Sequence, residues 1–190
     1  MKNLIILVLL VSFIFSCSSS DKPVDELTAQ DEKSTNNGLN ANIYSNEQMN
    51  ISFNYPDSWE VRTDTVNGIL YILSSFKEGD DFQEMMNVVV GGTQGLNLEE
   101  FLSINLVAVE DMFEELVLTE EPTVYEINDR EFKKVKYNYV SEGGGYPLTA
   151  GLFVTHANNK SYIINCSALQ NTFDQYQEEF MSVVNSIQIK

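Results

Sequence analysis

Residues 97–116 read NLEEFLSINLVAVEDMFEEL, and their spacing decides the fold class. Leu98, Phe101, Leu102, Leu106, Val109, Met112, Phe113 and Leu116 recur at steps of three and four, which places them along one side of an α-helix. Asn97 stands where an N-cap is wanted, and Glu100 three residues later completes the capping-box spacing. Glu99 and Glu100 occupy the first turn, where the helix dipole favours negative charge. The pattern predicts a helix over 97–116.

On both sides of this helix the period changes to two. Met49, Ile51, Phe53 and Tyr55 alternate with Asn50, Ser52 and Asn54, and together with 43–44 and a polar turn at 45–48 they read as a hairpin. Further strands are expected at 59–62, 69–76 and 85–91 before the helix, and at 123–127, 132–140, 148–155 and 162–168 after it. Residues 128–130, 143–145 and 158–160 supply the turns between the later ones. A second helix opens at Thr172, with Gln175 at capping-box distance and a stripe of Phe173, Tyr176, Phe180, Val183 and Val184. Ile187 and Ile189 then end the chain in an extended segment. The fold class is α+β, with two apolar-faced helices covering a mainly antiparallel sheet and acidic residues on their solvent sides.

Of 190 residues, 28 are acidic and 11 basic, for a net charge of −17. Nucleic acid is excluded as a partner, because neutralising phosphates needs a basic face. Electrostatic attachment to anionic lipid is excluded by the same sign of charge. With 43% apolar and 11% aromatic residues, the chain is no disordered polyelectrolyte.

The N-terminus addresses compartment. After Lys2, residues 4–15 are apolar except Ser12. That run is shorter than the roughly 20 residues a spanning helix needs, but it suits the core of a secretory signal. Ile14-Phe15-Ser16-Cys17 resembles a bacterial lipobox, with Phe15 where a smaller residue is usual. The resemblance implies cleavage before Cys17 and diacylglycerylation of its thiol, with its new amine open to acylation. Ser18 is not the Asp of inner-membrane retention rules, which points to the outer membrane of a Gram-negative cell. The expected organisation is a signal peptide over 1–16, lipidated Cys17 with a flexible Ser-, Asn- and acid-rich tether to residue 42, and a folded domain over 43–190.

Residues 51–61, ISFNYPDSWEV, resemble the F-x-Y-P-x-x-W opening of the PsbP-like superfamily, here Phe53, Tyr55, Pro56 and Trp59. The Leu98–Phe101 start of the helix, the strand carrying Tyr162 and the closing Ser186-Ile187 are similar to the same family. The resemblance covers 43–190 and implies an α/β/α sandwich. Relatives include a photosystem II extrinsic subunit, a Ran-binding import factor and DcrB-type envelope lipoproteins. Most characterised members bind proteins, and the family supplies no catalytic residue to carry over.

Little in the residues suggests catalysis. His156 is the single histidine, expected at a solvated strand end, and nothing places Ser or Cys166 beside it. With Cys17 acylated, Cys166 has no disulfide partner and reads as a buried strand residue. One His and one thiol cannot build a four-ligand zinc site, and no EF-hand pattern is present. The acidic pairs, Glu99-Glu100 among them, read as solvated surface, with weak divalent-cation binding as the lesser alternative. Residues 91–95, GGTQG, lack the Lys of a phosphate loop. No catalytic residue, cofactor or metal is therefore expected. Tyr146 and Pro147, at the tip of the 143–147 loop, are the candidate partner contact.

These readings converge on a non-enzymatic, lipid-anchored envelope protein that binds a partner protein or supports an envelope complex. A small-ligand module with a pocket between helix and sheet, and a hydrolase using acidic residues, are the alternatives from other classes.

Overall fold

The computed structural model describes residues 34–36, 39–64, 68–76, 82–141 and 145–190. The signal segment, Cys17 and most of the tether lie outside the described residues. Elements run β1 (Ser34–Asn36), β2 (Leu39–Asn46), β3 (Ile51–Pro56), β4 (Glu60–Asp64), β5 (Ile69–Leu73), β6 (Met85–Gly92), α1 (Leu98–Met112), β7 (Glu114–Ile127), β8 (Arg130–Val140), β9 (Pro147–Ala157), β10 (Lys160–Leu169), α2 (Phe173–Ser186) and β11 (Gln188–Ile189).

The strands form two sheets. Seven are ordered β4-β5-β6-β10-β9-β8-β7, four are ordered β1-β2-β3-β11, and every described pairing is antiparallel. Strand alternation sends Leu70, Ile72, Met86, Val88, Phe153, Tyr162, Ile164 and Cys166 to one face of the larger sheet, against the α2 stripe and against Ile51, Phe53 and Trp59. Val89, Val135, Leu148, Ala150, Leu152, Val154 and Ile163 go to the other, against Phe101 and Leu102 of α1. One helix per face gives the α/β/α layering.

The F-x-Y-P-x-x-W segment ties these layers together. Phe53 is buried, the Pro56 carbonyl accepts from the Trp59 amide at 3.0 Å, and the Trp59 ring meets Phe180 edge-on with centroids 5.7 Å apart. Its indole N–H donates to Glu179 at 2.9 Å. The small sheet is tied on by Tyr162, whose hydroxyl donates to the Met49 carbonyl at 3.0 Å, and by Lys160, whose ammonium donates to the Gln48 carbonyl at 2.8 Å. The turns behave as their chemistry asks. Asn128-Asp129 and Asn158-Asn159 all take positive φ, the conformation of tight two-residue hairpins.

Three boundaries and one cap differ from expectation. The helix stops at Met112, with Phe113 already extended, and Leu116 belongs to β7. Leu116 fits a helical stripe only because a strand packing on the same core also wants an apolar residue there. Consequently β7 has 14 residues, kinked by register shifts and by Glu115 at φ 58°, where 123–127 alone was expected. Thr172 makes no side-chain cap bond; its hydroxyl instead lies 3.5 Å from Glu84 and donates to the Leu169 carbonyl at 3.3 Å. Finally, pairing starts at Ser34, not near Ile43, because β1 and β2 form a hairpin within the expected tether.

Candidate functional site

Strand β8 carries Lys133, Lys134 and Lys136 in a chain otherwise dominated by acids. Alternation splits them between faces. Lys133 reaches Glu99 of α1 at 2.8 Å, and that carboxylate raises the ammonium's pKa. On the opposite face Lys134 pairs with Glu120 of β7 at 3.1 Å. Lys136 lies 4.7 Å from the centre of the Phe173 ring and 3.8 Å from Asp174, both on α2. Each lysine thus pins a neighbouring element to β8.

Lys134 and Lys136 also rim a crevice between α2 and the sheet. Gly151 and Cys166 line its base, with Phe153, Phe173, Phe180 and Met181 along the walls. Its volume is about 40 Å³. Drug-sized ligand sites hold roughly 300–1,000 Å³, so the helix-sheet junction is packed core with room for little more than water. The sequence reading missed this crevice, whose signal was Lys134 and Lys136 at the same-face spacing of one strand, with Glu120 beside them.

A wider, open cleft of about 390 Å³ lies where the β2–β3 turn meets the ends of β4, β5 and β6. Asn46, Gln48, Thr63, Asp64, Gly91 and Lys160 are among its lining residues. Gly91 and Gly92 are paired within β6, opposite Ser161 and Lys160. The α1 N-terminus is closed by its own residues: the Glu100 amide donates to the Asn97 side chain and the Asn97 amide to the Glu100 carboxylate, both at 3.0 Å. With those donors satisfied and a carboxylate on top of them, this end of the helix is unsuited to phosphate.

The single imidazole and the described thiol are kept apart. Cys166 pairs in register with Gly151 and faces α2, whereas His156 belongs to the other parity of β9 and faces α1. The sheet itself separates them, so Cys166 and His156 do not form a Cys–His pair. Burial pushes the Cys166 thiol's pKa up, which leaves it protonated and inert.

His156 corrects the expectation of a solvated strand end. Its ring meets Phe101 edge-on at 5.1 Å, and its Nε2 is buried with no hydrogen-bond partner among the described residues. Desolvation lowers its pKa below the usual 6.5. The unfolded chain therefore binds the proton more tightly, so this residue's contribution to stability is full above pH 6.5 and is lost as pH falls through the folded value. Urea titrations of the wild type and His156→Phe across that window are expected to diverge on the acid side, with the variant losing less. Parallel curves would contradict this placement.

At the predicted contact loop, Tyr146 is 41% exposed and Pro147 is exposed at the start of β9. The Tyr146 ring lies 6.1 Å from Phe82, and its amide donates to the Ser141 hydroxyl at 3.2 Å. Residues 142–144 lie outside the described residues. Among the described residues no group of three His, Cys, Asp or Glu side chains is placed to hold a metal ion, and no helix is long and apolar enough to cross a membrane.

No curated protein matches this chain in sequence. Among solved structures it is similar to PA94, a Pseudomonas aeruginosa protein of unknown function, at TM-score 0.58 and 11% identity over 79% of this chain and 97% of that one. It is also similar to cyanobacterial PsbP (CyanoP) of Synechocystis sp. PCC 6803, at 0.55 and 14% over 83% and 98%. LpqN of Mycobacterium tuberculosis, involved in cell envelope biogenesis, matches at 0.56 and 10% over 74% and 83%. At such identities these likenesses carry the fold alone. The sequence profile of PsbP matches residues 39–189, and the chain belongs to the PsbP family.

Proposed function

We propose that this protein is a lipid-anchored component of the cell envelope that works by binding another protein, not by catalysis. The observation that carries the reading is the fate of its reactive side chains. The thiol of Cys166 is built into one face of the sheet and the imidazole of His156 packs on the other, so the two cannot act together. Family membership and a structural relative involved in envelope biogenesis support the same reading. So does the lipobox-like Ile14–Cys17 segment. The small-ligand alternative is disfavoured between helix and sheet, where the crevice holds about 40 Å³.

Anchoring is tested on the full-length chain, expressed in a Gram-negative host fed an alkyne-tagged fatty acid. The wild type is expected to take up the tag and sediment with outer membrane. Cys17→Ala is expected to lose both properties. Tag retained by Cys17→Ala would overturn the anchor.

A further inference from the structure

The two helices present different sides to water. α2 buries Phe173, Tyr176, Phe180, Val183 and Val184, and its outward positions are polar, among them Asp174, Gln177, Glu178 and Asn185. α1 has nearly the same length but buries only Phe101 and Leu102. Its outward row is Glu100, Ile104, Val107 and Asp111, at steps of four, three and four, which is one line along the helix. Ile104 is 47% and Val107 54% exposed. A helix packed by one face normally carries polar residues in that row, so the two aliphatic side chains at its centre need another explanation.

Charge narrows what could cover them. Between Lys77 and Arg130 the chain holds 14 Asp and Glu residues, half of its 28, and no Lys, Arg or His. Both α1 and its neighbour β7 lie in this stretch. The cation described against this helix, Lys133, is already bound to Glu99. An anionic bilayer would be repelled from such a surface. A second copy would bring the same acids against it, on a partner of charge −17. What fits is an apolar strip flanked by Lys or Arg, which would lay aliphatic side chains on Ile104 and Val107 and satisfy Glu110 and Asp111. At a rise of about 1.5 Å per residue the row is roughly 16 Å long, some three turns of a partner helix.

We propose that the outward row of α1 is the docking surface for a cationic amphipathic helix of a partner protein. The proposal rests on the partner-binding reading above and names the surface and the chemistry of what it takes.

The probe is a synthetic amphipathic helix with Leu on one face and Lys on the other, titrated into the protein and followed by NMR shifts. Its counterpart with Glu for Lys is the charge control. Shifts are expected to map to α1, and affinity is expected to fall at least tenfold in Ile104→Ser/Val107→Ser and to drop in Glu110→Gln/Asp111→Asn. Glu100 is left intact because it caps the helix. These side chains are exposed, and unchanged circular dichroism checks that the variants fold. Equal binding by Ile104→Ser/Val107→Ser, or by the Glu-bearing peptide, would overturn the proposal. So would capture by phosphatidylglycerol vesicles, or a dimer seen by sedimentation, that those two substitutions abolish. Crosslinking in the native envelope separates the two levels. A partner retained by Ile104→Ser/Val107→Ser overturns this surface alone, whereas no partner for the wild type overturns the partner-binding reading.

Discussion

Replacing Trp59 with alanine is expected to cost about 3–5 kcal/mol of stability, the range for removing a large buried aromatic. The residue closes the F-x-Y-P-x-x-W segment, and its ring is shared by three parts of the molecule. It packs edge-on against Phe180 of α2, its indole N–H is held by Glu179, and it belongs to the cluster that contains Ile51, Phe53 and the core face of the larger sheet. Alanine would leave a void where these meet and strip Glu179 of its donor. With a urea m-value of about 1–3 kcal/mol/M for a small domain, the midpoint should move by at least roughly 1 M. Trp59→Phe keeps a ring against Phe180 and should recover much of that loss, short of the bond to Glu179. A Trp59→Ala variant within about 1 kcal/mol of wild type would mean that the segment does not join the small sheet to α2.

The second large effect concerns Cys166. In Cys17→Ala protein it is the single remaining thiol, fully packed beneath α2 with its pKa raised by burial. An aromatic disulfide reagent must then wait for the sheet and helix to separate. Labelling of the folded protein should be slower than in denaturant by at least about a thousandfold, because openings of the core cost several kcal/mol. In urea one equivalent should react promptly. Fast labelling in buffer would mean an accessible thiolate, and the non-enzymatic reading would have to give way to one in which Cys166 does chemistry.

Period and punctuation made most of the fold legible. Alternation in 49–55 and 162–168, steps of three and four in both helices, and Asn-rich turns at 128–129 and 158–159 all carry a local physical cause. Where the reading failed, the local signal served two structures at once. Leu116 suits a helix stripe and a strand alike, and Thr172 suits a cap although its hydroxyl turns toward Glu84 and Leu169. Residues 18–41 show no sustained period, so the β1–β2 pairing that begins at Ser34 is not legible there. The small four-stranded sheet was not legible because it depends on the last strand returning to β3, a contact between residues far apart in sequence.

The candidate site was less legible than the fold. Exposure of Tyr146 and Pro147 follows from a glycine-rich loop tip. That Lys133 and Lys136 pin opposite helices needed the register of β8 against its neighbours. The half-buried place of His156 follows from Phe101 of α1 packing on the same face of the sheet, which no property of residues 153–159 announces.

The most direct measurement is crosslinked capture of the full-length protein from its own envelope, with Cys17→Ala as the control. One abundant partner protein, captured by the wild type and lost with the anchor, is the predicted result. A wild-type lane containing only the bait would contradict a protein that works by contact.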